Sequence, residues 1–145
     1  MALLLAAQIA LYAQTAGFTG TGLVNATAIA LAESNGDPNA IGDGGTSFGL
    51  WQIHTPAHPE VSAAMAFDPA TAAQIAYRLS NGGTNWTPWS TWTNGRYRLF
   101  LAQAQQAVAQ PGQAAPATTT ATLSDNTATV AAIGVLAGLA YLVFG

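Results

Sequence analysis

Residues 30–53 of the chain read A-L-A-E-S-N-G-D-P-N-A-I-G-D-G-G-T-S-F-G-L-W-Q-I, and this stretch decides how the rest folds. The residues just before Glu33, 23–32, leave almost no polar face, so a helix here must be buried nearly all round. Asn35 favours left-handed backbone and Pro38 cannot continue a helix, so the helix ends within a turn of Glu33. The sequence therefore predicts a single carboxylic acid at the rim of an apolar core.

The predicted position of Glu33 has a chemical consequence. A carboxyl group at the rim of a core lacks full hydration, and at the end of a helix it also meets the negative end of the helix dipole. Both effects favour the protonated form and therefore raise the pKa of Glu33. A carboxylic acid that keeps its proton near neutral pH is suited to general acid catalysis. Glu33 is therefore the candidate catalytic residue.

Two segments together resemble a known family: Glu33-Ser34 at a helix end, and the run G-L-W-Q-I at residues 49–53 one loop later. The pair is similar to the lysozyme-like superfamily of soluble lytic transglycosylases and goose-type lysozymes, especially the type carried by bacteriophages. The resemblance covers residues 3–100. It implies a mainly α, small lysozyme-like helical domain with a short loop or hairpin. It also implies cleavage of the β-1,4 bond between N-acetylmuramic acid and N-acetylglucosamine in peptidoglycan.

Besides Glu33, five residues are candidates for binding the glycan substrate: Ser34, Trp51, Gln52, Tyr77 and Trp89. Ser34 completes the Glu-Ser pair of the resemblance, and Gln52 suits a hydrogen bond to an N-acetyl or hydroxyl group. In the resembling family an aromatic side chain near the position of Tyr77 can hydrogen-bond the catalytic acid. The resemblance implies the same role for Tyr77.

The tryptophans have two alternative roles, since flat indole faces stack on sugar rings but also complete the core of a small domain. Trp51 either packs under the loop or lines the cleft, and packing is the favoured alternative. Three tryptophans recur around Pro88 in the run W-T-P-W-S-T-W at residues 86–92, which predicts a tight aromatic loop. We expect either that at least one of them lines the cleft, with Trp89 as the candidate, or that all three complete the core.

Helix signals continue on both sides of the central stretch. Residues 3–16 are apolar and predict a first domain helix. A secretory signal segment is the alternative, but the positively charged start of such a signal is absent. Thr21 is a candidate cap for the helix that carries Glu33.

Two more helices are predicted after the central stretch. Asp68 followed by Pro69 is a good helix start, and the run N-G-G at residues 81–83 ends that helix. Residues 96–110 alternate apolar and polar positions at helical spacing and predict a last amphipathic helix. Together with the helices before residue 35, this gives one catalytic domain over residues 1–109.

Composition excludes several classes of partner. Among 145 residues only 6% are charged, and the formal net charge is -3. Three basic residues cannot form the patch that neutralises a nucleic-acid backbone, so nucleic acid is excluded as a partner. The absence of cysteine excludes disulfides and thiolate metal ligands. His54 and His58 bracket a proline and cannot form a regular helical metal pair, so we expect neither a metal nor a cofactor.

The chain changes character after residue 109. Residues 110–126 are rich in Pro, Gly, Gln, Ala and Thr, which predicts a flexible linker. Residues 127–145 are uncharged and apolar and are long enough to cross a hydrocarbon layer of about 30 Å. They predict a C-terminal single membrane helix, with a buried core helix as the alternative.

The resemblance to phage-borne members of the family, together with the predicted membrane helix, implies a virion protein of a bacteriophage, anchored in a virion membrane by a single pass and opening the wall during genome entry. The expected partners are peptidoglycan glycan strands, a lipid membrane and virion proteins. The alternative is a catalytically silent protein that binds peptidoglycan or has a structural role in the virion. In that case Glu33 is a structural carboxylate at the rim of the core.

Two reaction outcomes are open for an enzyme of this kind. A hydrolase with two carboxylates needs a partner acid across the scissile bond. Asp43 is the nearby candidate, but its G-D-G-G setting is typical of a turn. If no second carboxylate acts, the resemblance implies the other route of the superfamily, in which Glu33 acts next as a base, activates the muramic 6-hydroxyl and yields a 1,6-anhydro product. The sequence favours this lytic transglycosylase outcome.

Overall fold

The helix that carries Glu33 lies at the centre of the structure, a computed structural model that describes residues 3–109. In the described residues the α-helices are α1 (Ala6–Ala16), α2 (Gly20–Ser34), α3 (Ala63–Phe67), α4 (Pro69–Leu79), α5 (Ser90–Thr93) and α6 (Leu101–Ala109). The strands are β1 (Ile41–Gly42), β2 (Ser47–Phe48) and β3 (Ile53–His54), and short 3₁₀ turns cover Thr55–Ala57 and Arg96–Phe100. The prediction of a mainly helical small domain is confirmed.

Helix α2 is buried nearly all round over its second half, as its sequence predicts. Every residue from 26 to 32 is buried, and the helix contacts α1, α5 and α6. It ends at Ser34 because Asn35 adopts left-handed backbone with φ 54°. Its start differs from the prediction, since Thr19 and not Thr21 is the N-terminal cap residue. The helix therefore holds Glu33 in its last turn, where the apolar core meets solvent.

Helix α1 packs against α2, α4 and α6, with Ile9, Ala10 and Ala13 buried. The predicted helix over residues 3–16 begins three residues late, at Ala6. Leu5 has extended backbone, with φ -69° and ψ 152°, and before it Leu4 N donates a backbone hydrogen bond of 2.7 Å to Gly36 O, just beyond the end of α2. This contact holds the first described residues against the loop that follows Glu33.

The predicted short hairpin is a small antiparallel sheet in the order β1, β2, β3. Ile41 pairs with Phe48, and Phe48 pairs in turn with Ile53. The sequence did not predict the third strand, because two residues are too few to show a strand pattern. The sheet brings the G-L-W-Q-I run back toward α2.

The C-terminal part of the described chain departs from the prediction in two places. Residues 86–92 contain the start of a short helix, α5, where only a loop was predicted. The predicted last helix over residues 96–110 is a 3₁₀ turn up to Phe100, followed by α6. In the turn, buried Tyr97 stacks on Trp92 with ring centroids 4.4 Å apart.

Helix α4 follows its sequence signals, since Asp68 Oδ2 accepts a hydrogen bond from Thr71 N at 3.0 Å.

No helix within residues 3–109 combines the length and the apolar character needed to cross a membrane. The predicted linker, residues 110–126, and the predicted membrane helix, residues 127–145, lie outside the described residues. Both stay predictions from the sequence.

Buried tryptophans join three parts of the fold. Trp51 is fully buried, and its indole Nε1 donates to Ala26 O in α2 at 3.0 Å. Trp89 Nε1 donates to Trp51 O at 2.8 Å, and Trp89 directly precedes α5. These two hydrogen bonds fix the turn between β2 and β3, and then α5, relative to α2.

The turn before Trp51 requires glycine at position 49. Gly49 has φ 81°, and a Cβ atom there would overlap the backbone oxygen of Ala66 in α3. The Gly49→Ala variant must therefore accept backbone strain and also move α3, so we expect it to lower the free energy of unfolding by about 3 kcal/mol or more. Chemical denaturation followed by tryptophan fluorescence measures the loss.

Gly44 supplies the matched control for this substitution. It also has positive φ, 65°, but a Cβ atom there meets nothing within 4 Å. Gly44→Ala should lower the free energy of unfolding by about 1 kcal/mol, from backbone strain alone. Equal losses in the two variants would contradict the close approach of the turn to α3.

Candidate active site

A cleft of about 620 Å³ opens beside the C-terminal end of α2. Glu33 lies in one wall, residues of the small sheet form the opposite side, and the loop before α5 completes it. The lining residues are Glu33, Asp43, Thr46, Ser47, Gln52, Ile53, His54, Ala57, His58, Leu79, Pro88, Trp89 and Ser90. Trp51 and Trp89 hold together the parts of the chain that supply most of the cleft, and Leu79 at the end of α4 and Ala57 with His58 after β3 add to its lining.

Glu33 is partly buried and borders this cleft. Its Oε2 accepts a hydrogen bond of 2.9 Å from the hydroxyl of Thr91, which is buried in α5. Because Trp89 anchors the start of α5 to Trp51, the position of Thr91 depends on the buried tryptophans. The carboxyl group is thus held on one side and open to the cleft on the other.

The protonation of Glu33 reflects opposing effects. Burial raises the pKa of Glu33, because a partly dehydrated carboxylate is less stable than the neutral acid. Hydrogen bonds from the hydroxyl and the backbone amide of Thr91 lower the pKa, since they stabilise the charged form. The negative charge of Asp43 raises it, and the positive charge of Arg96 lowers it. Burial is the largest effect, so the pKa lies above its ordinary value.

The sheet side of the cleft carries a second carboxylate, Asp43. The residue has φ 51° in the turn between β1 and β2, as its G-D-G-G setting predicts. The Ser47 hydroxyl donates to Asp43 Oδ2 at 2.6 Å, and the Thr46 hydroxyl donates to Asp43 O at 2.7 Å. Asp43 is therefore both a turn residue and a held cleft residue, a combination that the sequence did not indicate.

Two of the predicted substrate-binding residues lie in the cleft. Gln52 lines it, with Nε2 donating to Ala40 O at 3.1 Å and to Gly49 O at 3.0 Å. Both amide hydrogens are thus committed to the loop, and the remaining polar atom, the acceptor Oε1, lies against Gly42. Trp89 also lines the cleft, although only 4% of its surface is exposed.

Three other predicted substrate-binding residues are placed elsewhere. Trp51 is fully buried, so its indole has the packing role that the sequence favoured and offers no face to a sugar. Ser34 is buried, and its hydroxyl donates to Ala30 O at 2.8 Å within α2. Tyr77 packs edge-on against Phe18 with ring centroids 5.0 Å apart. In the described residues the side-chain donor to Glu33 is Thr91, in the role that the resemblance implied for Tyr77.

Sequence reasoning missed Thr91 and Ser47 as site residues. Thr91 donates to Glu33, which lies 58 residues away in the sequence, and Ser47 donates to Asp43 across a tight turn. Neither residue belongs to a pattern of charge or spacing along the chain. The only local signal for Thr91 is the P-W-S-T run at residues 88–91. Within residues 3–109, no group of three or more His, Cys, Asp or Glu side chains converges to bind a metal.

The chain matches a known protein family. The family described as "Lysozyme like domain" matches residues 10–91, a range that includes every residue lining the cleft and Thr91. Comparisons with curated proteins and with solved structures gave no match. The lysozyme-like part of the resemblance is confirmed, and the phage-borne type stays a prediction.

The hydrogen bond from Thr91 generates a test of the electrostatic balance at Glu33. In Thr91→Val the carboxylate loses the hydroxyl that stabilises its charge, so the pKa of Glu33 should rise further above its ordinary value. Carbon NMR titration of the side-chain carboxyls measures the shift, and the chain's other glutamate, Glu60, is an internal reference.

Thr93 provides the matched control in the same helix. It is exposed, and its hydroxyl donates to Ser90 O at 3.1 Å. Thr93→Val should leave the titration of Glu33 unchanged. An unchanged or lowered pKa of Glu33 in Thr91→Val would contradict the assigned hydrogen bond.

Proposed function

The chain belongs to the lysozyme-like domain family, and on this premise we propose that it cleaves peptidoglycan glycan strands with Glu33 as the general acid. Proteins of this family generally cleave peptidoglycan. The observation that carries the proposal is the carboxyl of Glu33, which borders an open cleft, has a raised pKa and is held by Thr91. A structural carboxylate needs no such opening.

The proposed first step breaks the β-1,4 bond between N-acetylmuramic acid and N-acetylglucosamine. Glu33 gives its proton to the glycosidic oxygen, which leaves with the bonding electron pair as a hydroxyl of the departing chain. The muramic C1 then has oxocarbenium character, which the neighbouring N-acetyl oxygen stabilises. A raised pKa serves this step, because the acid must carry its proton at the working pH.

The second step decides the product. In the lytic transglycosylase that we propose, the ionised Glu33 takes the proton of the muramic 6-hydroxyl, and the oxygen forms a bond to C1. The product has a 1,6-anhydro end, and Glu33 regains its proton for the next cycle. This route needs one carboxylate.

The position of Asp43 favours lysozyme-type hydrolysis as a second candidate. Asp43 lies on the sheet side of the cleft, and its charge acts on Glu33. A second carboxylate across the scissile bond can bind the developing cation or activate water, in which case the product has a reducing end. The two candidate reactions share the first step and differ in the group that attacks C1, which is the muramic 6-hydroxyl in the transglycosylase and water in the hydrolase.

We also propose, from the sequence of residues 127–145, that a membrane anchor holds this domain near its substrate. The proposal extends to a virion protein of a bacteriophage that opens the wall locally. Its support is the apolar, uncharged C-terminal stretch together with a domain family that acts on peptidoglycan.

Replacement of Glu33 by Gln tests the enzymatic proposal. The amide cannot donate a proton to the leaving oxygen, so lysis of purified cell walls, followed as loss of turbidity, should fall by about 100-fold or more. The binding alternative predicts that the wild-type protein sediments with walls and never clears them. Substantial clearing by the variant would contradict the role of Glu33.

The fold of this variant has a pH signature of its own. Because the pKa of Glu33 is raised, the native state loses stability as pH rises through that pKa and the carboxyl ionises. Gln does not ionise, so the variant should have an equal or higher Tm at neutral pH. The difference in Tm between the variant and the wild-type protein should disappear at pH values below the pKa of glutamate in the unfolded chain.

Replacement of Asp43 by Asn separates the two reaction outcomes. A transglycosylase should keep activity within about threefold and release anhydro ends, whereas a two-carboxylate hydrolase should lose about 100-fold or more. Mass spectrometry identifies the ends, which differ by one water. Activity must be compared in mildly acidic solution, because loss of the Asp43 charge lowers the pKa of Glu33.

A further inference from the structure

His54 lies opposite Ser47 across the β2 and β3 pair and lines the cleft. The ring nitrogen Nδ1 is 3.2 Å from the Ser47 hydroxyl oxygen and 3.4 Å from the Thr46 hydroxyl oxygen. His54 is exposed, while Ser47 beneath it is fully buried. One edge of the imidazole is therefore bound to the sheet.

The hydrogen positions at this edge follow from the partners of the two hydroxyls. Thr46 Oγ1 contacts the carbonyl oxygen of Asp43, which can only accept, so the Thr46 hydroxyl hydrogen is committed there. Ser47 Oγ contacts the Asp43 carboxylate, which also accepts only, so the Ser47 hydrogen is committed as well. Each hydroxyl then faces His54 with a lone pair.

Nδ1 of His54 must therefore carry a hydrogen, because two oxygen lone pairs facing a bare ring nitrogen would repel it. In the neutral imidazole this leaves Nε2 without a hydrogen, as an acceptor. No hydrogen bond within residues 3–109 involves Nε2. The linked hydrogen bonds of Asp43, Ser47 and His54 thus select the tautomer of His54 that carries its hydrogen on Nδ1.

We propose that His54 Nε2 is a substrate-binding acceptor on the sheet side of the cleft, and that Ser47 is the positioning residue that maintains it. The ligand group is a hydrogen-bond donor of the glycan, either a sugar hydroxyl or the N–H of an N-acetyl group. This inference rests on the proposed function, since it names the contact made by the same cleft. An acceptor at this place gives the cleft specificity for a donor group of the glycan.

The tautomer is measurable without any activity. The chain has two histidines, so long-range ¹H–¹⁵N spectra of the imidazoles give two patterns, and the one lost in His54→Asn belongs to His54. We expect that pattern to show a protonated Nδ1 and an unprotonated Nε2. In Ser47→Ala the fraction of the Nδ1–H form should fall. A wild-type spectrum with hydrogen on Nε2 alone would overturn the proposal.

Binding tests the acceptor role. The probe is the tetramer of N-acetylglucosamine, titrated calorimetrically into the full-length Glu33→Gln protein, which cannot turn it over. Asparagine at position 54 has an amide nitrogen at about the same distance from the backbone as Nδ1, but it has no atom that reaches the position of Nε2. Adding His54→Asn should weaken binding about three- to tenfold, as expected for one hydrogen bond. Adding His54→Gln instead, which reaches the place of Nε2, should restore part of the affinity.

Wall lysis separates failure of this inference from failure of the proposed function. With Glu33 intact, His54→Asn should raise KM by a similar factor and change kcat by less than about twofold, because ground-state binding is lost. Unchanged tetramer affinity on adding His54→Asn, with wild-type lysis intact, would overturn the acceptor role alone. Absence of lysis by the wild-type protein, together with absence of tetramer binding by the Glu33→Gln variant, would overturn the proposed function as well.

Discussion

The hydrogen bond from the buried indole of Trp51 to the carbonyl of Ala26 is the contact on which the site depends. A buried N–H without a partner costs about 1–3 kcal/mol, so the turn that carries Trp51 has one favourable position against α2. Trp89 then donates to the backbone of Trp51, and the helix after Trp89 brings Thr91 to Glu33. A packing requirement in the core therefore sets the environment of a carboxyl at the surface.

The cleft combines an apolar support with polar side chains that hydrogen bonds hold in place, among them Glu33, Asp43 and His54. Burial raises the pKa of Glu33, but its carboxyl still accepts a hydrogen bond from Thr91. The charged form is therefore disfavoured without being excluded. An acid in this balance can release a proton and later recover one, as a two-step cleavage requires. Across the cleft, Ser47 restrains Asp43 and His54 together. The proposed roles of the two walls thus differ, with proton transfer by Glu33 on one side and recognition of the glycan on the other.

Much of the fold was predictable because it rests on local signals. The apolar run before Glu33, the left-handed Asn35 and the Asp68-Pro69 helix start each act within a few residues, and each behaves as predicted. Other boundaries were not predictable. Helix α1 begins after Leu5, whose backbone is extended while Leu4 N donates to the distant Gly36 O, and the turn before α6 lies where Tyr97 stacks on Trp92. Such contacts join residues that have no pattern in common along the chain.

The sequence by itself determined that one carboxylic acid ends a buried helix and that a glycine-rich loop returns a tryptophan and a glutamine toward it. Those features depend on backbone preferences and hydrophobic burial, which neighbouring residues specify. Only the tertiary structure decided which side chains reach the cleft: Trp51 is enclosed, Trp89 borders the cleft, and Thr91 bonds the acid. The physical reason is that a hydrogen bond between side chains 58 residues apart requires the position of every element packed between them.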